Sequence, residues 1–315
     1  MTSRRLPILL RAAVWWNRQA CRWTRTVARK EIIFQLLNRA AWWNRKDVPR
    51  AIGRLQWGDE AFISTYSGAL LSVDHRNFDV YADIINQDGQ WEPHVMEVCR
   101  SLLREGDVFY DIGSNSGIFS LDFASAIQDL EIIAFEPQPL LVDHIRRSIK
   151  KNGFTNITVL EQLLGNENGE ASLFLVGHSG MASLVPRERR ARELRCSIST
   201  LDHLVGSGAI SAPDIVKIDA EGAERAIFEG AQDVLRRHAP SIVFESNQNM
   251  RRFGYEADAL FDALSSAADY QFFVIEDEGA LSPARAPYPY GDFLALSPRH
   301  ASRCPSAGHL AHLAA

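Results

Sequence analysis

The sequence predicts an α/β fold built on a doubly wound, mostly parallel sheet, and three observations carry that prediction. From residue 107 onward, short apolar runs alternate with longer helix-like segments, the pattern of a sheet covered on both faces. Runs such as Ile215–Ile218 are nearly continuous in apolar character, as strands buried on both sides are. Two small-residue turns, Gly113–Gly117 and Ala220–Gly222, each stand between a predicted strand and a predicted helix.

The elements follow in order. Residues 6–29 have helical periodicity: Arg11, Arg18, Arg22, Arg25 and Arg29 share one face, and Leu9, Ala13, Trp16, Ala20, Trp23 and Val27 share the opposite one. Ile33, Leu36, Ala40 and Trp43 extend the pattern or start a second helix, and Asp47–Pro49 ends it. Residues 55–80 read as short strands separated by Ser67-Gly68 and Asp74–Asn77. A helix is predicted over 91–104, with Pro93 in its first turn and Gly106 just past its end.

Strands are then predicted at 108–112, 131–135, 157–160, 171–176, 195–199, 215–219, 241–245, 271–275 and 292–296. Helices are predicted at 117–126, 140–152, 223–237 and 257–268. The implied organisation is a basic helical arm (1–50), a β-rich extension (51–90), a main domain (91–297) and a loose tail (298–315).

The 315 residues carry a formal net charge of -5, which conceals a split. Residues 1–50 hold 12 Lys and Arg against 2 acidic residues, together with five of the seven tryptophans, while the remainder carries a net of -15. The acidic body argues against nucleic acid as a partner. The arm has two readings: its Trp face packs on the body or on a second subunit as a homodimer, or the helix docks on an anionic membrane surface or a protein partner. No apolar run reaches the roughly 18 residues of a spanning helix. Arg11 interrupts the apolar stretch that follows Arg4 and Arg5, unlike a secretory signal. The four cysteines form no CxxC pair, so no metal site is expected. The expected location is cytoplasmic, with the arm as a peripheral contact to the inner face of a membrane under the second reading.

The richest chemistry is in Val108–Ser120. Gly113 and Gly117 let backbone pass close to a ligand, and the following helix presents free N–H groups. Their spacing, Gly-x-x-x-Gly, is not the tighter pattern of a pyrophosphate site, which sets a nicotinamide dehydrogenase aside. Asp111 at the strand end would repel a phosphate but suits an amino-acid moiety. Glu136 lies 25 residues beyond Asp111, at the end of the next strand, where a carboxylate can accept from both hydroxyls of a ribose. A phosphate-free nucleoside with a charged amino-acid tail is S-adenosylmethionine.

The second constellation is Pro213–Glu224. Asp219 falls at the carboxyl end of a strand, with Glu221 two residues on and Gly222 at the turn. Asp219 is a candidate for orienting a nucleophilic hydroxyl and taking its proton, with Glu221 as a second candidate. Helix capping is the competing account of both. Lys217 shares a strand face with Asp219 and needs a partner, for which Glu245 is the expected one. His178, in the loop Gly177–Ser183, and Glu245 are candidate substrate contacts. The arginine-rich segment Arg187–Arg195 stands near the proposed acceptor side.

These segments resemble, in order, the FkbM-type S-adenosylmethionine-dependent methyltransferases. The resemblance rests on Trp91-Glu-Pro, Asp111-Ile-Gly-Ser-Asn-Ser-Gly117, Ala134-Phe-Glu-Pro-Gln138, Ser199-Thr-Leu-Asp202, Asp214–Glu224, Gly230-Ala231 and Pro240–Glu245, and spans roughly residues 90–296. Ser114 and Ser116 depart from the family's usual Ala and aliphatic residue. The resemblance implies a class I methyltransferase fold with a seven-stranded, Rossmann-like sheet whose last strand is antiparallel. It implies that Asp111, Gly113, Asn115 and Gly117 line the methionine end, that Glu136 holds the ribose, that Gln162 faces the adenine and that Asp219 stands beside the transferring methyl group. Ser114 and Pro137 complete the implied cofactor-binding set. The implied activity is O-methylation of a saccharide, glycan or secondary metabolite by direct in-line displacement. The alternative is a chain that keeps the fold as an inactive binding or scaffold protein in a biosynthetic assembly.

Overall fold

The computed structural model describes residues 55–56, 61–74, 78–175, 182–185 and 192–304. The expected arm (1–50), His178 and the first part of the arginine-rich segment (187–191) lie outside the described residues.

The first unit comprises β1 (Leu55–Gln56), β2 (Phe62–Ser64), β3 (Leu70–Ser72) and α1 (Phe78–Asn86). The main unit begins with α2 (Pro93–Leu102), β4 (Val108–Ile112), α3 (Ile118–Ala126), β5 (Glu131–Phe135), α4 (Pro139–Asn152) and β6 (Ile157–Leu160). A flanking segment follows: β7 (Leu163–Leu164), β8 (Gly169–Leu175), β9 (Arg192–Ser199) and α5 (Leu201–Gly206). The chain returns through β10 (Ile215–Ile218), α6 (Glu224–Glu229), α7 (Gln232–His238) and β11 (Ser241–Ser246). It closes with α8 (Asp258–Ser265), β12 (Gln271–Ile275), β13 (Leu281–Pro283) and β14 (Gly291–Leu296).

The central sheet has the order β13-β12-β14-β11-β10-β4-β5-β6. β11, β10, β4, β5 and β6 are parallel neighbours, and β14 runs antiparallel between β11 and β12. The chain starts this sheet at β4, builds outward to β6, and re-enters beside β4 at β10. The carboxyl ends of β4 and β10 therefore flank the point where the winding reverses, the place where open α/β sheets bind ligands. The sheet has eight strands, not seven. The addition, β13, is a three-residue edge strand ending in Pro283, too short for a periodic pattern.

One face packs α2 and α3 around Met96, Cys99, Phe109, Phe119 and Phe123. The other packs α6, α7 and α8 around an aromatic group in which Phe244 meets Phe228, Phe261 and Phe293 at 5.7, 5.5 and 5.7 Å between ring centres.

Four further expectations change. The helix expected over 223–237 is two, α6 and α7. A Cβ on Gly230 would stand 1.9 Å from the carbonyl oxygen of Gly165, so the chain breaks where it crosses β7's loop. The 51–90 extension is not purely β-rich: α1 buries Tyr81, Ile84 and Ile85. The tail is not loose at its start. Pro298–Arg303 forms a 3-10 helix capped by Ser297, with His300 buried against Ser241 and Arg303 paired to Asp107. Six residues in a 3-10 turn carry no 3.6-residue signature, which is why the sequence pattern misses them. Lys217 pairs with Asp219 at 3.3 Å rather than with Glu245.

The β1–β3 sheet is held to the main unit by polar contacts. Asn152 of α4 exchanges two 2.8 Å hydrogen bonds with the backbone of Leu70. The buried Asp122 of α3 accepts from the Ser67 backbone at 2.7 Å and pairs with Arg100 of α2 at 2.7 Å. Among the described residues no helix is long and apolar enough to cross a membrane.

Candidate active site

The loop after β4 is a tight construction. The N–H groups of Gly113 and Ser114 both donate to the Phe135 carbonyl, each at 3.0 Å, tying the loop to the end of β5. Gly113 has φ 76°, and a Cβ there would meet the Asp219 carbonyl oxygen at 1.9 Å. The turns after β4 and β10 thus touch backbone to backbone, which only glycine permits.

Glu136 follows β5 and is buried, yet it lines an open cavity. Its Oε2 accepts from the Asn115 N–H and its Oε1 from the Gln138 N–H, both at 2.9 Å. The Gln138 side chain also donates to Glu136, and the anchored carboxylate keeps acceptor capacity for a ligand hydroxyl. Burial pushes its pKa up to about 7, against the pull of those two backbone N–H groups.

The same cavity brings together Gly113, Asn115, Pro137 and Gln162 of the expected cofactor set, with Asp219 and Glu221. Leu163, Leu173 and Leu184 supply an apolar wall from the flanking strands and the loop beyond them, suited to a flat base. Residues 182–184 thereby stand on the Glu136 cavity, although the sequence suggests this loop for the acceptor. Gln162 turns its amide oxygen to Ser199, which donates at 3.4 Å.

Three expected cofactor contacts lie elsewhere. Asp111 is fully buried beneath α3, where its Oδ2 accepts from the Ser120 hydroxyl at 2.6 Å. Its Oδ1 has no hydrogen-bond partner among the described residues, and burial raises its pKa. Ser114 is buried with its hydroxyl likewise unpaired. Gly117 caps α3 facing the Ile145 side chain. None of the three lines the cavity.

Asp219 is not a helix cap, since α6 begins after Ala223. Its carboxylate, 29% exposed, lies beside the buried Lys217 ammonium, which also sits 4.9 Å from the Phe119 ring centre. Burial alone would lower the Lys217 pKa, but Asp219, Asp111 and Glu92 together hold it above its usual value. Glu221, at φ 54°, accepts from the Asn249 amide at 2.8 Å. Glu224 folds back to accept from the N–H groups of Ala220 and Gly222 at 2.9 and 3.2 Å, closing the turn beneath Asp219.

A second, much smaller hollow also borders Asp219. Glu92 and Val95 of the α2 start, Lys217, Glu245 and Asp292 border it. Glu245 accepts from the Asn247 amide at 2.5 Å, and Asp292 pairs with His94 at 2.8 Å. Glu92 has no chemical signature in the sequence beyond its Trp91-Glu-Pro setting, which carries part of the family resemblance. Among the described residues no group of acidic, His or Cys side chains has the arrangement of a metal site.

The site residues fit S-adenosylmethionine: a glycine turn without room for a Cβ, a ribose-type carboxylate held by backbone N–H groups, and an acidic end at Asp219. A family model described as the Methyltransferase FkbM domain matches residues 111–272. The AMB antimetabolite synthetase AmbE of Pseudomonas aeruginosa is 25% identical over 62% of this chain and 11% of its own length. The hexuronic acid methyltransferase AglP of Haloferax volcanii is 26% identical over 48% of this chain and 60% of its own. The chain thus spans about a tenth and three-fifths of the lengths of these relatives. Among solved structures, a methyltransferase FkbM from Methylobacillus flagellatus aligns with TM-score 0.43 and 16% identity, covering 70% of this chain and 55% of that one. A SAM-dependent O-methyltransferase from Thermotoga maritima aligns with TM-score 0.39 and 13% identity, covering 75% and 77%.

Proposed function

The chain belongs to the FkbM methyltransferase family, and we propose that it is an S-adenosylmethionine-dependent O-methyltransferase acting on a hydroxyl of a saccharide, glycan or secondary metabolite. The observation that carries this reading is the position of Asp219, which borders both the Glu136 cavity and the open rim of the sheet. AglP, named for a sugar-derived acceptor, supports the saccharide class at low identity.

When bound, S-adenosylmethionine supplies a methyl group already activated by its sulfonium leaving group. The protein then has two tasks, orienting the acceptor hydroxyl and removing its proton. The partly exposed carboxylate of Asp219 is placed to accept that hydroxyl's hydrogen bond and then its proton. Lys217 holds the carboxylate from behind, and Glu224 holds the turn that carries it. Glu221, which accepts from the Asn249 amide, is the second candidate. Glu136 holds the ribose from the opposite side of the glycine loop.

Calorimetry with S-adenosylmethionine, followed by transfer of labelled methyl to panels of sugars and glycosides, tests the reading. Cofactor binding with label in an acid-stable ether is the expected result. Absence of cofactor binding overturns the enzyme reading, and label found on nitrogen or carbon overturns the O-methyl assignment.

A further inference from the structure

We propose that Glu224 and Tyr255 are a neutral positioning pair for the turn that carries Asp219: Glu224 keeps its proton and donates a hydrogen bond to the Tyr255 hydroxyl, which donates in turn to the Gly222 carbonyl. The role of that turn in binding rests on the S-adenosylmethionine reading above, whereas the hydrogen-bond chain does not.

The turn needs a hold from outside. Asp219, Ala220, Glu221 and Ala223 line the Glu136 cavity, yet Glu221 and Gly222 between them both have positive φ, 54° and 102°. Such backbone persists only where its surroundings fix it. The hold comes from the segment after β11. Asn249 donates to Glu221 at 2.8 Å, and Phe253 packs so closely on Gly222 that a Cβ there would meet its ring at 2.7 Å. The Tyr255 hydroxyl, from the same segment, donates to the Gly222 carbonyl at 2.8 Å. Both members of the pair are buried.

The hydrogen positions follow from the partners. The N–H groups of Ala220 and Gly222 both donate to Oε1 of Glu224. Its Oε2 faces the Tyr255 oxygen at 3.4 Å. A phenol has one proton, and the shorter contact commits that proton to Gly222. An ionised Oε2 would then face the phenol oxygen with no hydrogen between them, a costly pairing in a buried place. A protonated Oε2 is a donor, and the phenol oxygen, which the Arg225 N–H reaches only at 3.5 Å, has a lone pair to accept it.

Charge supports the same arrangement. Burial pushes the Glu224 carboxyl up to about 7, against the pull of its own N–H and those of Ala220 and Gly222, and the nearby Asp219 adds to the rise. Burial and Glu224 hold the Tyr255 hydroxyl above its usual range, so it stays a donor. The cation facing the pair, Arg225 on α6, lies 5.8 Å from the Tyr255 ring centre and is itself paired with Glu229 at 2.9 Å.

The test uses the full chain, calorimetry with S-adenosylhomocysteine, and amide hydrogen exchange of the turn. Tyr255→Phe removes the hydroxyl and keeps the ring. It is expected to bind the probe about fivefold more weakly, the worth of one hydrogen bond, and to exchange faster in the turn. Glu224→Gln places an amide N–H where the proton would be and is expected to match the unmodified protein in both measurements. Glu224→Ala is expected to lose at least as much as Tyr255→Phe. As pH rises through about 7, the unmodified protein is expected to lose more probe affinity than Glu224→Gln. Glu136, which titrates in the same range, is common to both proteins and cancels in that comparison. A Glu224→Gln protein as weak as Glu224→Ala, identical pH profiles, or a Tyr255→Phe protein equal to the unmodified one each overturns the proposal. If the unmodified protein binds no S-adenosylhomocysteine, the S-adenosylmethionine reading fails, and the exchange rates of the variants still decide the pair.

Discussion

The carbonyl oxygen of Asp219 occupies the space that a Cβ on Gly113 would fill, 1.9 Å away. The turn that would cradle the cofactor and the turn that carries the proposed base are thus in direct backbone contact. Gly113→Ala should push them apart and also strain a φ of 76°. A loss of about 1–3 kcal/mol in stability is expected from the strain, with cofactor affinity falling in parallel. Thermal melting and calorimetry on the same sample check it; an unchanged affinity would show that the contact has no role in the site.

Glu136 has both structural and ligand contacts, so two of its variants should separate. Glu136→Ala frees the N–H groups of Asn115 and Gln138 and removes the ribose acceptor. It should lose about 1.5–3 kcal/mol of cofactor affinity per charge-assisted hydrogen bond and lower the melting temperature. Glu136→Gln keeps one amide oxygen and should lose less of both. Equal affinity in all three proteins would remove Glu136 from the site.

Asp219→Asn keeps the size of the side chain and removes its ability to take a proton. Turnover should drop about 10²–10⁴-fold while cofactor affinity holds within a few-fold, the range for loss of general base catalysis. Stopped transfer with retained binding supports the role. Full turnover would move the base elsewhere, with Glu221 the next residue to test.

Burial and the neighbouring Asp219 push the Glu245 pKa up to about 8, well above its value of 4.5 in an unfolded chain. The folded state therefore binds the proton more tightly than the unfolded one. The stabilising contribution is complete below about pH 4.5 and is lost as pH rises toward about 8. Glu245→Gln, always neutral, should melt with a smaller loss of stability between pH 5 and pH 8 than the unmodified protein (pH values chosen to bracket this window, roughly). Parallel melting curves across that range would show that Glu245 ionises freely in the folded protein.

Asp122 joins three segments distant in sequence: Ser67, Arg100 and its own helix. Asp122→Ala leaves Arg100 without its buried partner and releases the Ser67 turn. A cost of about 3–5 kcal/mol is expected, as for breaking a buried pair. Denaturant titration measures it, and a change below about 0.5 kcal/mol, the range of an ordinary surface substitution, would show that the small sheet is not held through this residue.

The sequence by itself determined the alternation of strands and helices, the two turns and the three acidic positions Asp111, Glu136 and Asp219. These features are local: apolar period, glycine spacing and strand-end position are written in consecutive residues. It also shows the family through short motifs such as Phe-Glu-Pro and Lys-Ile-Asp-Ala-Glu-Gly. Tertiary structure alone decided which way each carboxylate turns. Asp111 and Lys217 sit opposite one another on neighbouring strands, yet Asp111 is engaged by Ser120 from α3 while Lys217 reaches Asp219. That choice depends on the helix packed over each side chain, which no neighbour in sequence reports. Glu92 shows the same limit from the other side. It lies 127 residues before Asp219, and only the packing of α2 against the sheet brings the two to one cavity. A buried charge takes its partner from whatever the fold encloses with it, and that enclosure exists only once the layers have closed.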